Sequence, residues 1–315
     1  MHEALTAMLE PMLTIFLFLA VGFGLRKSKI LPENADVVLS RMASHVFLPA
    51  QVFVTFLTYC TWNSLVENGR YVLYAAICLA IGLVAAYLLG DLFSKQRQTR
   101  GVFRYGLVFA NFGYLGNYLI PKILGEQYLY PYLLFTLPVT FLAFAWGMGQ
   151  MIPAGESGTK LWKRLCNPVI FAMFAGGALG LLGVGRMSLG VVTDALQDLS
   201  ACMGPTAMIL TGFVVGGYPV RQLLSDRRVY RMTLLRLVVL PALLLPVVYL
   251  LGADLPVMVM VLVAFGAALG VNTVVFTAAY GGDTKPGAAM AMVSHVCAVI
   301  SIPVLYSLLM QILKG

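Results

Sequence analysis

Phe109–Glu126 reads FANFGYLGNYLIPKILGE, and Phe265–Asp283 reads FGAALGVNTVVFTAAYGGD. Each stretch begins apolar, meets Gly and Asn where a membrane helix should continue, and ends at a Gly beside an acid. Phe109 and Phe265 are 156 residues apart, as are Gly125 and Gly281, in a chain of 315 residues. Interrupted apolar segments at matching places in two halves are the best sequence pointer to the binding site of a transporter.

The sequence around them is that of a membrane protein. Hydrophobic residues make up 60% of the chain and charged residues 11%, against about 25% charged in soluble domains. The net charge of +8 does not point to nucleic acid. The Lys and Arg residues lie in short clusters between apolar spans, and no soluble region is long enough to form a binding module. Five cysteines (Cys60, Cys78, Cys166, Cys202 and Cys297) are scattered without a CxxC pair. They read as small apolar residues, with neither a disulfide nor a metal site expected. The first 25 residues lack a basic stretch ahead of the apolar one, and Arg26, Lys27 and Lys29 follow it. That order suits a first span with its amino terminus outside, rather than a signal peptide.

A span needs about 20 mostly apolar residues. Ten are expected, at roughly 6–25, 37–59, 70–92, 102–121, 128–151, 168–185, 195–217, 233–252, 256–280 and 287–313. The connections are short, so no extramembrane domain is expected. Of the 21 Lys and Arg residues, 17 fall in the connections after spans 1, 3, 5, 7 and 9 or at adjacent helix ends. Arg70, Lys122, Arg186 and Lys314 fall on the other side. The positive-inside rule then puts both termini outside the cytoplasm.

The shift of 156 recurs between Pro49 and Pro205 and between Gly24 and Gly180. Pro11 and Pro168 are 157 apart, and Pro131 and Pro286 are 155 apart. These matches divide the chain into a first repeat, 1–156, and a second, 157–315. Five spans per repeat is an odd number, so the second copy must insert upside down. The expected fold is therefore an all-α membrane protein of ten transmembrane helices in a five-plus-five inverted repeat, with helices 4 and 9 broken and crossing.

Backbone polar groups in hydrocarbon must find partners within the protein. A break is tolerated only where protein or a water-filled cavity surrounds it. Asn111, Gly113, Gly116 and Asn117 weaken span 4; Gly266, Gly270 and Asn272 weaken span 9. If both spans break, two helix amino ends approach each other at mid-membrane and favour an anion. The Asn amides could bind a carboxylate or hold the crossed backbones together. The plainer alternative is that Gly and Asn only aid helix packing.

Asn111-Phe-Gly-Tyr-Leu-Gly116 resembles the N-x-G-[FY]-x-G signature of the auxin efflux carrier family. So do Val271-Asn272-Thr273, Ala279-Tyr280-Gly281-Gly282-Asp283 and Ser294 to Pro303, for spans 9 and 10. Asn167-Pro168, Gly204-Pro205 and Arg236-Leu237 with Pro241 also match, so the resemblance covers nearly the whole chain in order. That family includes plant auxin exporters and bacterial carriers described as malonate or malate permeases. The resemblance implies a scaffold of spans 1, 2, 6 and 7. A transport domain of spans 3–5 and 8–10 would move against it like an elevator. It also implies a bacterial inner (plasma) membrane location. Bile-acid:sodium symporters and sodium/proton antiporters resemble the same fold broadly. This chain departs from the family at Tyr118 and Ala268, where crossover prolines are usual. Proline would remove a donor and force a break; here Gly and Asn must allow it.

The resulting expectation is a secondary active transporter of small organic anions, mono- or dicarboxylates. Asn111, Gly113, Tyr114, Gly116 and Asn117 would form one half of the site, and Gly270, Asn272 and Thr273 the other. Lys122 could pair with a carboxylate, or snorkel to the outer surface. His45 and His295 could carry a coupling proton, or pack as neutral side chains. Asp194 and Asp198 read as a solvated cap rather than a sodium site. Arg41, Arg104 and Arg236 read as interface anchors at cytoplasmic helix ends. Gly176 and Gly180 could serve a homodimer contact. No cofactor or metal is expected. Enzyme signatures such as a P-loop, GxSxG or HExxH are missing from the sequence, so an enzyme is not expected. The alternatives are a sodium-coupled symporter of the bile-acid type and a membrane receptor or scaffold that no longer transports.

Overall fold

A computed structural model describes residues 2–151, 168–186, 190–270, 272–279 and 283–314. The connection at 153–166, Val271 and the Tyr280-Gly281-Gly282 part of the family pattern lie outside the described residues. Among those residues the chain is helical, with no strand.

The helices follow the apolar spans. They are α1 (His2–Lys27), α2 (Ala35–Tyr59), α3 (Trp62–Phe93), α4 (Arg97–Val108) and α5 (Asn117–Leu124). Next come α6 (Glu126–Phe135), α7 (Leu137–Gln150), α8 (Pro168–Leu181), α9 (Val191–Gly216) and α10 (Arg227–Leu250). Last are α11 (Leu255–Gly266), α12 (Asn272–Ala279) and α13 (Lys285–Lys314). Six of these are long and apolar enough to cross a membrane alone: α1, α2, α3, α9, α10 and α13. The pair α6–α7, bent by 47°, makes a seventh when counted as one span. The bend falls at Thr136, two residues before Pro138, whose ring and missing N–H disrupt the preceding turn.

Local chemistry moves one boundary well away from expectation. α3 begins at Trp62, eight residues before the expected span. The cause is a capping box: the Ser64 N–H donates to Thr61 Oγ1 (3.1 Å), and the Thr61 N–H donates to Ser64 Oγ (2.8 Å). With its end satisfied, the helix can carry Asn63, Glu67, Asn68 and Arg70 ahead of the apolar run.

Two helix pairs meet backbone to backbone. α1 lies on α9, where a Cβ at Gly22 would overlap the Ile209 carbonyl and one at Gly212 would overlap the Leu19 carbonyl. α8 lies on α2, where Gly176 and Gly180 face the Phe53 and Phe56 carbonyls. Small residues permit such close approach, and dispersion then holds helices that lipid would solvate equally well. Gly176 and Gly180, offered by the sequence for a contact between copies, thus sit against α2 of the same chain.

α2 and α10 each contain a wide π turn just before a proline, Ala43–Phe47 ahead of Pro49 and Leu235–Val239 ahead of Pro241. Proline lacks the N–H its preceding turn would use, and the wider turn absorbs the misfit. In α10 that turn carries Arg236.

Candidate functional site

Both expected interruptions are present. α4 ends at Val108, after which Phe109 is extended (φ −112°, ψ 120°). The chain re-enters helix through a π turn, Phe112–Gly116, in which the N–H groups of Leu115 and Gly116 both donate to the Asn111 carbonyl (3.0 and 3.2 Å). α11 ends at Gly266, and Ala267 is extended (φ −80°, ψ 168°) before α12 starts at Asn272.

The two breaks touch. The Asn111 N–H donates to the Ala268 carbonyl (2.8 Å), so one break satisfies the other. Gly270 packs on the Asn111 side chain, where a Cβ would lie 3.2 Å from Oδ1. This contact shows how the segments open without the usual prolines. Ala268 supplies an acceptor as an ordinary residue, and pairing of its carbonyl with Asn111 and of the Leu269 N–H with Ser294 lowers the cost of the extended stretch. Tyr118, at the other departure, has its ring over Gly204 of α9 and edge-on to Phe18 of α1 (6.4 Å between centroids).

Residues from elsewhere in the chain complete the pairing. Tyr132 in α6 donates its hydroxyl to the Phe112 carbonyl (2.9 Å) and fills the space over Gly116 that a Cβ would need. Ser294 in α13 accepts from the Leu269 N–H (2.9 Å). Asn272 Nδ2 donates to the Tyr105 hydroxyl of α4 (3.4 Å). Asn117 Nδ2 donates to Gln51 Oε1 of α2 (3.1 Å). Thr273 is buried, with its hydroxyl donating to the Gly270 carbonyl (3.2 Å).

Polar capacity is left over at the centre. Asn111 is 4% exposed and Asn117 2%, yet Asn111 Nδ2 and Asn117 Oδ1 have no partner. Buried polar atoms left unpaired in a native fold call for an explanation such as a ligand. Gly113, half-buried, has open space where a Cβ would go. A polar cavity of about 300 Å³ adjoins α12, lined by Arg26, Asp36, Tyr218, Val274 and Thr284 among others. Tyr218 and Thr284 close one side of it with a hydroxyl–hydroxyl bond (2.7 Å).

Arg236 overturns its expected role. It is fully buried, not an interface anchor. Nη1 donates to the Leu107 carbonyl (2.7 Å) and Nη2 to the Ala264 carbonyl (3.4 Å), in the last turns of α4 and α11. The guanidinium therefore bridges the two negative helix ends that meet at the breaks. Arg41 is exposed and Arg104 pairs with Asp91 (3.3 Å), as surface-end residues do.

The remaining candidates scatter. Tyr114 is half-buried in the π turn beside Gly113. Lys122 is exposed in the last turn of α5, the position a snorkelling lysine takes. His45 is exposed and bonded to its neighbour Ser44 (2.8 Å). His295 is buried, its Nδ1 bonded to the Ala291 carbonyl (2.7 Å) and its Nε2 without a partner. Asp194 and Asp198 are exposed at the start of α9. Just outside the membrane, Asp226 caps α10 by accepting from the Arg228 N–H (2.9 Å). The Arg228 guanidinium holds its carboxyl below the usual carboxylate range.

Sequence reasoning missed Tyr105, Tyr132 and Gln51, and assigned Ser294 and Arg236 no part in the site. Tyr132 leaves no local signal, since its partner lies 20 residues back across a turn. Arg236 had one: a cation inside an apolar run is a functional suspect by default.

The family described as membrane transport protein matches residues 7–306. An uncharacterized transporter of Methanothermobacter thermautotrophicus is 22% identical over 222 residues, covering 69% of this chain and 71% of its own. Protein ECM3 of Saccharomyces cerevisiae is 28% identical over 109 residues, which is 35% of this chain and 18% of ECM3.

Proposed function

The chain belongs to the membrane transport protein family, and from that premise we propose that it is a secondary carrier of small organic anions, mono- or dicarboxylates. The observation that carries this reading is the unpartnered Asn111 Nδ2, buried where the two breaks meet and beside Gly270. The amino ends of the π turn at Phe112 and of α12 begin at these same breaks. They bring free N–H groups and positive dipole ends to the same place. The opposite, negative ends already hold Arg236. Where the two breaks meet, the capacity left over is a donor, which suits a carboxylate, while the spare Asn117 Oδ1 is an acceptor suited to a substrate hydroxyl.

In this reading Asn111, Gly113, Tyr114, Gly116 and Asn117 face Gly270, Asn272 and Thr273 across the substrate. Lys122 is a less suitable counter-charge, being exposed at the far end of α5. The interrupted pairs α4–α5 and α11–α12 count as one span each. With α8 and the bent pair α6–α7 they bring the total to ten, as two inverted repeats, 1–156 and 157–315. α1, α2, α8 and α9 act as the scaffold, supported by their glycine-to-backbone contacts. The broken helices and their neighbours move against it. The cavity beside α12 serves as the cytoplasmic way in, and both termini lie on the other side of the membrane.

The test is uptake or efflux of labelled malonate, malate, other short acids and indole-3-acetate in proteoliposomes, with Asn111→Ala and Asn272→Ala variants that remain folded. Both variants should cut transport. Normal transport by the double variant would sink the site assignment.

A further inference from the structure

Among the described residues, Arg236 is the one Asp, Glu, Lys or Arg side chain that is buried. A guanidinium stays charged at neutral pH. Burying it is costly unless opposite charge surrounds it. No carboxylate pairs with it among the described residues, where the ion pairs involve Arg70, Arg100, Arg104 and Arg228.

Its compensation is instead the carbonyls of Leu107 and Ala264. These belong to the final turns of α4 and α11, and a helix carboxyl end carries roughly half a negative charge. Two such ends therefore match one guanidinium. The π turn at Leu235–Val239 places the side chain between them, as π turns at functional positions often do. Pro241, packed on Gly266 where α11 stops, fixes the approach of α10 to that end. A pair of exposed helix carboxyl ends at mid-membrane is otherwise a place where carriers coordinate a small cation such as Na⁺.

We propose that Arg236 is a positioning residue that stands in for a coupling cation: it occupies the cation position with a covalently attached charge, so the carrier works without an alkali-metal ion. The consequence for transport rests on the reading of the breaks as the substrate site. The structural part does not, since it concerns only the carboxyl ends. A charge that never dissociates holds the two breaks in register whether or not substrate is present. It also leaves the amino ends as the variable half of the site.

The experiment measures the unfolding temperature of the purified full chain in NaCl, LiCl and choline chloride at equal ionic strength, followed by transport in the same salts. Wild type should unfold at one temperature in all three and transport equally. Arg236→Met keeps the side-chain length and removes the charge. It should be less stable in choline chloride and regain at least about 2 °C in NaCl or LiCl, as a ligand that binds only the folded state would produce. Arg236→Lys keeps the charge and, whatever its absolute stability, should gain nothing from Na⁺ or Li⁺ over choline. A wild type stabilised or activated selectively by Na⁺ overturns the proposal. So does an Arg236→Met protein that matches wild type in choline, or one that neither Na⁺ nor Li⁺ restores. If Arg236→Met does not fold, wild type and Arg236→Lys decide alone: indifference to Na⁺ supports the proposal and a selective Na⁺ effect overturns it. These thermal readings need no substrate, so a wild type that moves no organic anion sinks the transport reading without touching them.

Discussion

The two breaks occupy corresponding places in the sequence but are held in different ways. The break after α4 is closed by a π turn, two N–H groups sharing the Asn111 carbonyl, and the Tyr132 hydroxyl on the Phe112 carbonyl. The break after α11 has an extended stretch, with Ser294 receiving the Leu269 N–H and Ala268 accepting from Asn111. One relies on an aromatic hydroxyl that donates, the other on a serine oxygen that accepts. Shifting Tyr132 by 156 gives Ala288, and shifting Ser294 back gives Pro138. The supports are therefore not copies of each other. Both positions carry a break, and each satisfies its backbone by its own means.

The sharpest way to break this comparison is Gly116→Ala. The new methyl would displace the Tyr132 hydroxyl, adding overpacking to a lost hydrogen bond. We expect a cost of roughly 2–4 kcal/mol, read as a lower unfolding temperature, with transport falling alongside. Next is Asn111→Ala, which should weaken apparent substrate affinity roughly 10- to 100-fold if its amide meets a carboxylate. Asn272→Ala should have a smaller effect, because part of that amide is already engaged by Tyr105. An equal loss in the two would argue for a symmetric site. Tyr132→Phe and Ser294→Ala each leave one buried backbone group unpaired. Each should cost about 1–2 kcal/mol, and the double variant should cost the sum if the breaks are independent. Excess destabilisation in that cycle would mean that the Asn111–Ala268 bond couples them. The smallest effect belongs to Gly113→Ala, where open space awaits the methyl. Stability should stay within about 0.5 kcal/mol, and any change should appear in substrate affinity.

The location of the two breaks was legible because Gly and Asn inside an apolar run conflict with an uninterrupted membrane helix. That conflict is local, and the sequence displays it. The identity of the supports was not legible, because a hydroxyl from α6 or α13 reaches the breaks only after the chain has folded back. Arg236 carried two conflicting signals, a cation within an apolar run and a place beside a basic cluster. It follows Arg227, Arg228 and Arg231, so by position it looks like the last member of a surface cluster. One π turn and the proline after it turn it inward instead. Tyr118 was conspicuous as a missing proline, but its use as a contact with α1 and α9 depends on Gly204 and Phe18, far away in the chain.

That contact bears on how one part of the protein could travel past another. The Tyr118 ring rests on Gly204, which presents bare backbone and no side chain to interlock with it. Beside it, Asn117 and Gln51 form a single bond, with Asn117 Oδ1 left over. If the broken helices move against the scaffold as proposed, this joint, a ring on bare backbone with Phe18 at its edge and one polar catch, is the one that must slide. It would release at the cost of about one hydrogen bond and could re-engage at a new height wherever an equally smooth stretch of α9 comes opposite. Filling Gly204 would roughen the track, and the first sign would be a slower turnover in a protein that still binds its substrate.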